Sequence, residues 1–350
     1  MNVSVLRLHN QHLISPLSTP DEVVSWFGAM QAQDFAAAKW AIALRSQHQT
    51  DATIEQAFNE GRILRTHIMR PTWHFVSPKD IHWILALTAP RVHKFNGYYY
   101  RKSGLTKDIF QKSNAVIRKA LEEGKQLTRS QLGAALDNAR IPTRDLGLTY
   151  TILQAELDGI ICSGPRVNKQ FTYMILDKRV PKGNDMEHDE AVGELTKRYF
   201  QSHGPAQIQD FMWWSGLTGT DAKRGIDIAK LKKEIIGNKV YWTTKHTEMK
   251  QTASVYLIPP FDEYFVAYKD RSDIIDGRYK RHMNFNGGMI NGAIISKGII
   301  IGTWKRVFEK KEIIITIHPF STFENEEYKE ITKAADRYGH FHSLRVVMRN

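Results

Sequence analysis

The chain has 350 residues, 42% of them hydrophobic and 25% charged, the composition of an ordinary folded protein with length for two to four compact units. Its single cysteine, Cys162, excludes an intramolecular disulfide and a multi-cysteine zinc or iron–sulfur site, and no apolar run is long enough to cross a bilayer. The formal charge of +12 points to a polyanionic partner, with nucleic acid ahead of an anionic membrane surface. Met1 to Ile14 carries polar residues throughout and no small-residue cleavage site, so a signal peptide is not expected and a cytoplasmic, nucleoid-associated setting is.

Four units follow in chain order. In residues 1–95, Asp21 to Ala29 and Ala36 to Arg45 read as helices. Thr53-Ile-Glu-Gln56 is a capping-box pattern that would start a third. Ile63 to Val76, with Pro71 in its middle, suits a hairpin better than a helix. Helices followed by a hairpin is the order of a winged helix. Residues 96–185 repeat it: a helix capped at Thr128-Arg-Ser-Gln131, a stop at Pro142, and a helix from Leu146 to Asp158 closed by Gly159. Ile160 to Cys162 and Phe171 to Leu176, joined through a turn at Ser163-Gly-Pro165, would form the wing. Residues 186–250 repeat it again, with helices at Glu190 to Phe200, Ala206 to Ser215 and Thr218 to Ala229, a turn at Gly216, and Val240 to Thr243 in a wing. Lys223 to Lys239 holds six Lys/Arg and two acidic residues. Residues 251–350 change character. Ser254 to Ile258, Gly292 to Ile295, Gly298 to Trp304 and Glu312 to Ile317 are β-branched runs, and Glu326 to Tyr338 is a final helix. The fold class expected is α+β: three tandem winged-helix modules, then a C-terminal β-barrel.

At this point several motifs bear on function. Leu257-Ile-Pro-Pro-Phe-Asp-Glu-Tyr264, Tyr268-Lys-Asp-Arg271 and Ile301-Gly-Thr-Trp-Lys-Arg306 resemble the C-terminal signatures of the winged-helix DNA glycosylases of the AlkZ/YcaQ type. Gln31-Ala-Gln33 resembles that family's catalytic Gln-x-Gln motif, and Arg70-Pro-Thr-Trp-His74 matches another stretch typical of it. The resemblance covers nearly the whole chain. It implies a C-shaped clamp around duplex DNA and hydrolysis of the N-glycosidic bond of alkylated purines, with some members releasing interstrand crosslinks. It also implies that Gln31 and Gln33 position the attacking water. One branch of the family has Asp at the second position; with Gln33 this chain looks closer to the AlkZ-type branch, so the other branch's crosslink range is not carried over.

Elementary chemistry constrains such a site. No glycosidase-type carboxylate pair is evident, although Glu22 and Asp34 are near. An amide has no useful pKa, so it can aim a water but not deprotonate it. That suffices only for a leaving group already charged, such as a purine alkylated at N7 or N3. Residues two apart on a regular helix point about 200° apart, whereas in an extended link they share a side. Gly28 to Asp34 is therefore predicted to lie between helices. Without the resemblance, Gln31 and Gln33 read as two solvent-facing glutamines.

The remaining candidates carry two readings each. His67 and His74 face either the site or a packed interior. Trp304 is site-proximal or a core residue, and Trp40, Trp213 and Trp214 read as packing. His9 and His12 have no third ligand, so no metal is expected. Lys269 to Gly288 is a polar excursion from a sheet holding Lys269, Arg271, Arg278, Lys280 and Arg281, with Asn284 and Asn286 beside paired glycines. In the family a barrel hairpin reaches the minor groove, and this segment is its candidate here. Arg70, Lys305 and Arg306 join it as DNA contacts, and Asp262 is expected to cap or to pair with a base such as Arg271. The reading is a monomeric, monofunctional glycosylase without cofactor or metal, acting on alkylated bases in duplex DNA. The rivals are a non-catalytic winged-helix regulator and an architectural or RNA-binding protein.

Overall fold

The computed structural model describes residues 2–181, 183, 186–244, 255–285 and 290–349. Helix α1 (Val3–Asn10), unanticipated in the sequence, begins where the Asn2 side chain accepts the Val5 N–H. Helix α2 (Pro20–Phe27) starts from Thr19, which forms a reciprocal capping box with Glu22, and ends at Gly28, whose φ of 76° suits glycine. Strand β1 (Ala29–Gln31) and helix α3 (Phe35–Ala43), capped by Asp34, follow. Helix α4 (Asp51–Asn59) starts three residues before the Thr53 pattern suggests. Thr50 is its N-cap, and Thr53 fills the third position of the box.

The expected hairpin is β2 (Leu64–Ile68) with β3 (Arg70–Val76). Register runs His67 to Trp73 and then Ile68 to Arg70, so Pro71 and Thr72 form a bulge where the missing proline N–H removes no ladder bond. Helix α5 (Ile81–Lys102) is 22 residues long, contains Pro90 and runs straight through residue 95. Next come α6 (Lys107–Ala120), β4 (Leu127–Thr128), α7 (Arg129–Asn138) and α8 (Gly147–Leu157). The Thr128/Gln131 box caps α7 as predicted. Strands β5 (Ile161–Val167) and β6 (Gln170–Ile175) turn at Asn168-Lys169, both with positive φ, and not at Ser163-Gly-Pro165, which lies inside β5. Asparagine tolerates that conformation, so the hairpin closes four residues later than glycine and proline suggest.

After α9 (Leu176–Arg179), helices α10 (His188–Ser202), α11 (Ile208–Ser215) and α12 (Gly219–Ile228) lead to the hairpin β7 (Lys232–Ile236) and β8 (Lys239–Thr243). Gly216, left-handed at φ 72°, joins α11 to α12. The last part holds β9 (Val255–Ile258), α13 (Glu263–Val266), β10 (Gly292–Ser296), β11 (Ile299–Phe308), β12 (Glu312–Pro319), α14 (Asn325–His342) and β13 (Arg345–Arg349). These strands form one sheet in the order β13-β12-β11-β10-β9. It is a curled half-barrel with β9 and β13 as its edges, a partly open form of the expected β-barrel. Strand β13, also unanticipated, adds parallel to β12 after α14 crosses back. No helix among the described residues is long and apolar enough to cross a membrane.

The interior joins the ends of the chain. One core holds Phe27, Trp40, Phe58 and Phe75 together with Tyr264, Ile294, Trp304 and Tyr338. The Trp40 Nε1–H donates to the Leu257 carbonyl at 2.7 Å. A second core holds Ile68, Trp83, Tyr199, Trp214 and Tyr268. Residues 257–268 touch both. Their anchor is Arg45, whose Nη1 and Nη2 donate to the two oxygens of Asp262 at 2.8 and 2.6 Å, with both side chains fully buried. Gln11 accepts a further bond from Nη2 at 2.8 Å. Truncating Arg45 strands a buried carboxylate. Arg45→Met should therefore cost about 3–5 kcal/mol in urea unfolding. Adding Asp262→Asn should restore part of that loss. A single variant within about 1 kcal/mol of wild type would show that the pair has no such role.

Candidate functional site

Ala29 to Gln31 is extended because it pairs with β3, in the register Ala29 to Val76 and Gln31 to His74. The Ala32 N–H continues the ladder to the Trp73 carbonyl at 2.7 Å, and the Arg65 Nε–H donates to the Ala32 carbonyl at 3.0 Å. Residues 28–34 thus lie between α2 and α3, as the geometry of a shared site demands. Ala32 is buried, Gln31 half-buried and Gln33 exposed, the alternation that an extended link gives. The Gln31 side chain accepts from Arg70 Nη2 at 3.2 Å, and its backbone N–H donates to Glu263 Oε1 at 2.6 Å. Gln33 is exposed, and its Oε1 accepts the Trp73 N–H at 3.4 Å.

A cavity of about 460 Å³ opens beside Gln31. Arg70, Arg91 and Arg271 supply its charge, and Trp213, Phe261, Phe285 and Val266 much of its apolar wall. Its size and its apolar walls with few polar groups are those of a small-ligand or extruded-base site. The structure therefore brings Gln31, Arg70 and Arg271 together. Gln33 is not on its lining.

The other candidates lie elsewhere. Lys269 is exposed, with its backbone N–H on Asp210. Arg278, Lys280 and Arg281 stand exposed on a short 3₁₀ turn over Gly277–Met283, with Arg278 paired to Asp276. Asn284 ends that turn, while Asn286 and the two glycines lie outside the described residues. Lys305 is exposed on β11, and the Arg306 guanidinium lies 5.9 Å from the Trp304 and Tyr338 rings. Trp304 itself is a core residue whose Nε1–H donates to the Ile258 carbonyl at 2.8 Å. His67 is buried, bonded to Glu156 and tilted against Trp73 at 4.2 Å. Asp262 caps α13 as expected but pairs with Arg45 instead of Arg271. Arg271 donates to the Phe265 carbonyl at 2.7 Å and lies over Phe285.

A family model described as DNA glycosylase AlkZ-like matches residues 24–341. The chain belongs to the AlkZ-like DNA glycosylase family. An interstrand DNA cross-link repair glycosylase from Streptomyces sahachiroi is 24% identical over 351 residues, covering 94% of this chain and 92% of that protein. The solved structure of Streptomyces sahachiroi DNA glycosylase AlkZ matches the fold with a TM-score of 0.83 at 20% identity, over 99% of this chain and 98% of that one. The likeness carried by the C-terminal motifs and by Gln31-Ala-Gln33 thus holds for the whole fold.

In this AlkZ-like enzyme the site has one charged member that the sequence reading passed over. Glu263 is buried behind Gln31, and its Oε2 accepts from Trp214 Nε1 at 3.0 Å and faces His203 Nε2 at 3.3 Å. Burial pushes its carboxyl up, but the His203 bond, the Gln31 N–H and Arg70 outweigh burial and hold it below the usual carboxylate range. Burial lowers both Arg70 and His203. The signal was present: an acid directly before the apolar run Tyr264 to Val266 has no solvated face to occupy. Adjacent Asp262 caps α13 and pairs with Arg45.

His74 is a further buried titratable group. Its Nδ1 meets the Thr72 carbonyl at 2.9 Å and its Nε2 has no hydrogen-bond partner among the described residues. Burial, then Arg70, depress it to about 3. The unfolded chain, with an ordinary histidine near 6.5, therefore binds the extra proton between those values. Its contribution to stability is complete above about pH 6.5 and falls as the pH drops towards 3. Thermal midpoints should decline across this window, and more shallowly for His74→Asn. Parallel curves for the two proteins would discard the buried imidazole as the source.

Proposed function

We propose that this glycosylase hydrolyses the N-glycosidic bond of cationic alkylated purines in duplex DNA, with Gln31 and Gln33 positioning the water. The observation that carries it is the link between α2 and α3: Gln31 lines a base-sized cavity, and exposed Gln33, two residues on, flanks the buried Ala32 as in an extended chain. Neither amide can protonate a leaving group, so the base must arrive charged. Aromatic walls at Trp213, Phe261 and Phe285 favour a cationic ring through their π faces. Arg70 and Arg271 then face the phosphates flanking the extruded nucleotide. Glu263 fixes Gln31 through its backbone N–H and offsets the charge of Arg70, which would otherwise repel the base.

The Streptomyces relative is named for interstrand cross-link repair. A crosslinked purine alkylated at a ring nitrogen presents the same charged leaving group, so crosslinks and bulky adducts fall within the proposed range. The helix-then-hairpin sequences in residues 1–95, 96–185 and 186–250 are read as three winged-helix modules gripping the duplex, with 251–350 closing the clamp. The enzyme acts as a monomer, without cofactor or metal and without lyase chemistry.

Base release from 7-methylguanine, 3-methyladenine, crosslinked and uracil-containing duplexes tests the reading. Gln31→Ala and Gln33→Ala should each slow release of the cationic bases by roughly 10²-fold or more, with little change in duplex affinity. Uracil should stay in place. Uracil release at a comparable rate, or a full rate from Gln31→Ala, would overturn the proposal.

A further inference from the structure

Helix α5 presents a face with no partner among the described residues. Arg91, Lys94, Phe95, Tyr98, Arg101 and Lys102 are all exposed, and their spacing of three and four places them on one side. Val92, Asn96 and Tyr100 take the buried side. Phe95 is 67% exposed and Tyr98 60%. Tyr99, 41% exposed, flanks them and stacks on Tyr150 at 5.7 Å. The helix contains no acidic residue, and its four exposed cations form no ion pair among the described residues. Arg91 and Phe95 also line the cavity beside Gln31. The face therefore starts at the cavity mouth and runs about 16 Å along the helix, close to five steps of a duplex.

We propose that this face binds the DNA flanking the lesion, with Phe95 as a wedge stacked on the bases next to the extruded nucleotide. The proposal rests on the reading of the cavity as the seat of that nucleotide. Removing a nucleotide from the stack leaves a gap that an apolar side chain at the cavity mouth can fill. Phe95 is the exposed aromatic on α5 that borders the cavity, and Tyr98, one turn on, continues its line. The cations sit where a phosphate strand would pass. A helix lying on an anionic membrane would segregate its aromatic and cationic sides. Here they interleave, which suits a strand that alternates bases and phosphates.

The full-length protein is titrated at several salt concentrations against an undamaged duplex and one carrying a tetrahydrofuran abasic analogue with 2-aminopurine beside it. Lys94→Ala/Arg101→Ala should weaken both complexes and lower the slope of log K against log salt by about two. Phe95→Ala should keep affinity for undamaged duplex within about twofold but cost about tenfold on the abasic duplex, and abolish the change in 2-aminopurine fluorescence. Phe95→Leu should restore that fluorescence change, which a merely folding-related defect would not. Equal salt slopes, or a fluorescence change that survives Phe95→Ala, would overturn the proposal. So would variants that lose phosphatidylserine-vesicle binding while DNA binding stays intact. A wild-type protein that shows both α5 effects yet releases no base would sink the hydrolysis reading and leave the wedge standing.

Discussion

The fork between Arg45 and Asp262 is the contact on which the site depends. It joins the end of α3 to the loop after β9, two segments 217 residues apart. The residues immediately beyond Asp262 are those the site needs. Glu263 reaches the Gln31 N–H, Val266 and Arg271 reach the cavity, and Tyr268 lies under Arg7 with the guanidinium carbon 3.9 Å from its ring centre. Moving this loop by one residue would put Tyr264 where Glu263 stands. A buried ion pair contributes little net stability against an apolar pair of the same shape, because both charges must be desolvated. Its bidentate geometry instead admits one register, and register is what a site assembled from opposite ends of a chain requires.

The cavity wall is held by backbone as much as by side chains. Met69, at the tip of the β2–β3 hairpin, has φ 62°, and Phe261 has φ 61°, both in a region that bulky side chains avoid. Each is kept there by neighbours. The Met69 N–H donates to Thr88 Oγ at 3.2 Å, and the Met69 carbonyl faces Gly216 so closely that a Cβ there would come within 2.9 Å. Gly216 therefore serves two purposes: it ends α11 in a left-handed turn and lets the hairpin tip approach. Strain of this kind gathers where a fold presents groups at a fixed angle, and here both strained residues border the cavity.

What could be read from the sequence follows the range of the forces involved. The capping box at Thr128 and the hairpin around Pro71 are local, and both were legible, though the bulge was not. Helix α5 was not, because Pro90 and three successive tyrosines suggest a break, while its continuity is imposed by packing against α8 and α10. Strand β13 was invisible because a parallel partner reached across α14 leaves no local signature. For the site, the extended link at Gln31 followed from the need for i and i+2 to share a side. Glu263 was missed because its meaning comes from Gln31, His203 and Trp214, all distant in sequence. The basic residues from Arg278 to Arg281 were legible as charge, but charge alone does not say which cations border a cavity.

The distribution of charge completes the argument. The chain as a whole is strongly positive, which suits attraction to a polyanion from any direction. The interior around Gln31 follows the opposite rule. His74 is held neutral, Arg70 is opposed by Glu263, and that carboxylate is itself held below the usual carboxylate range by the His203 bond, the Gln31 N–H and Arg70. In the proposed reaction this division has a purpose. Outside, positive charge gathers DNA. Beside Gln31, an imidazolium or an unopposed Arg70 would repel a base that must carry its own positive charge to leave, whereas Arg91 and Arg271 line the rest of the cavity, where phosphates would pass. The electrostatic cost of building a buried carboxylate into a basic protein is then the condition for two uncharged amides to be sufficient.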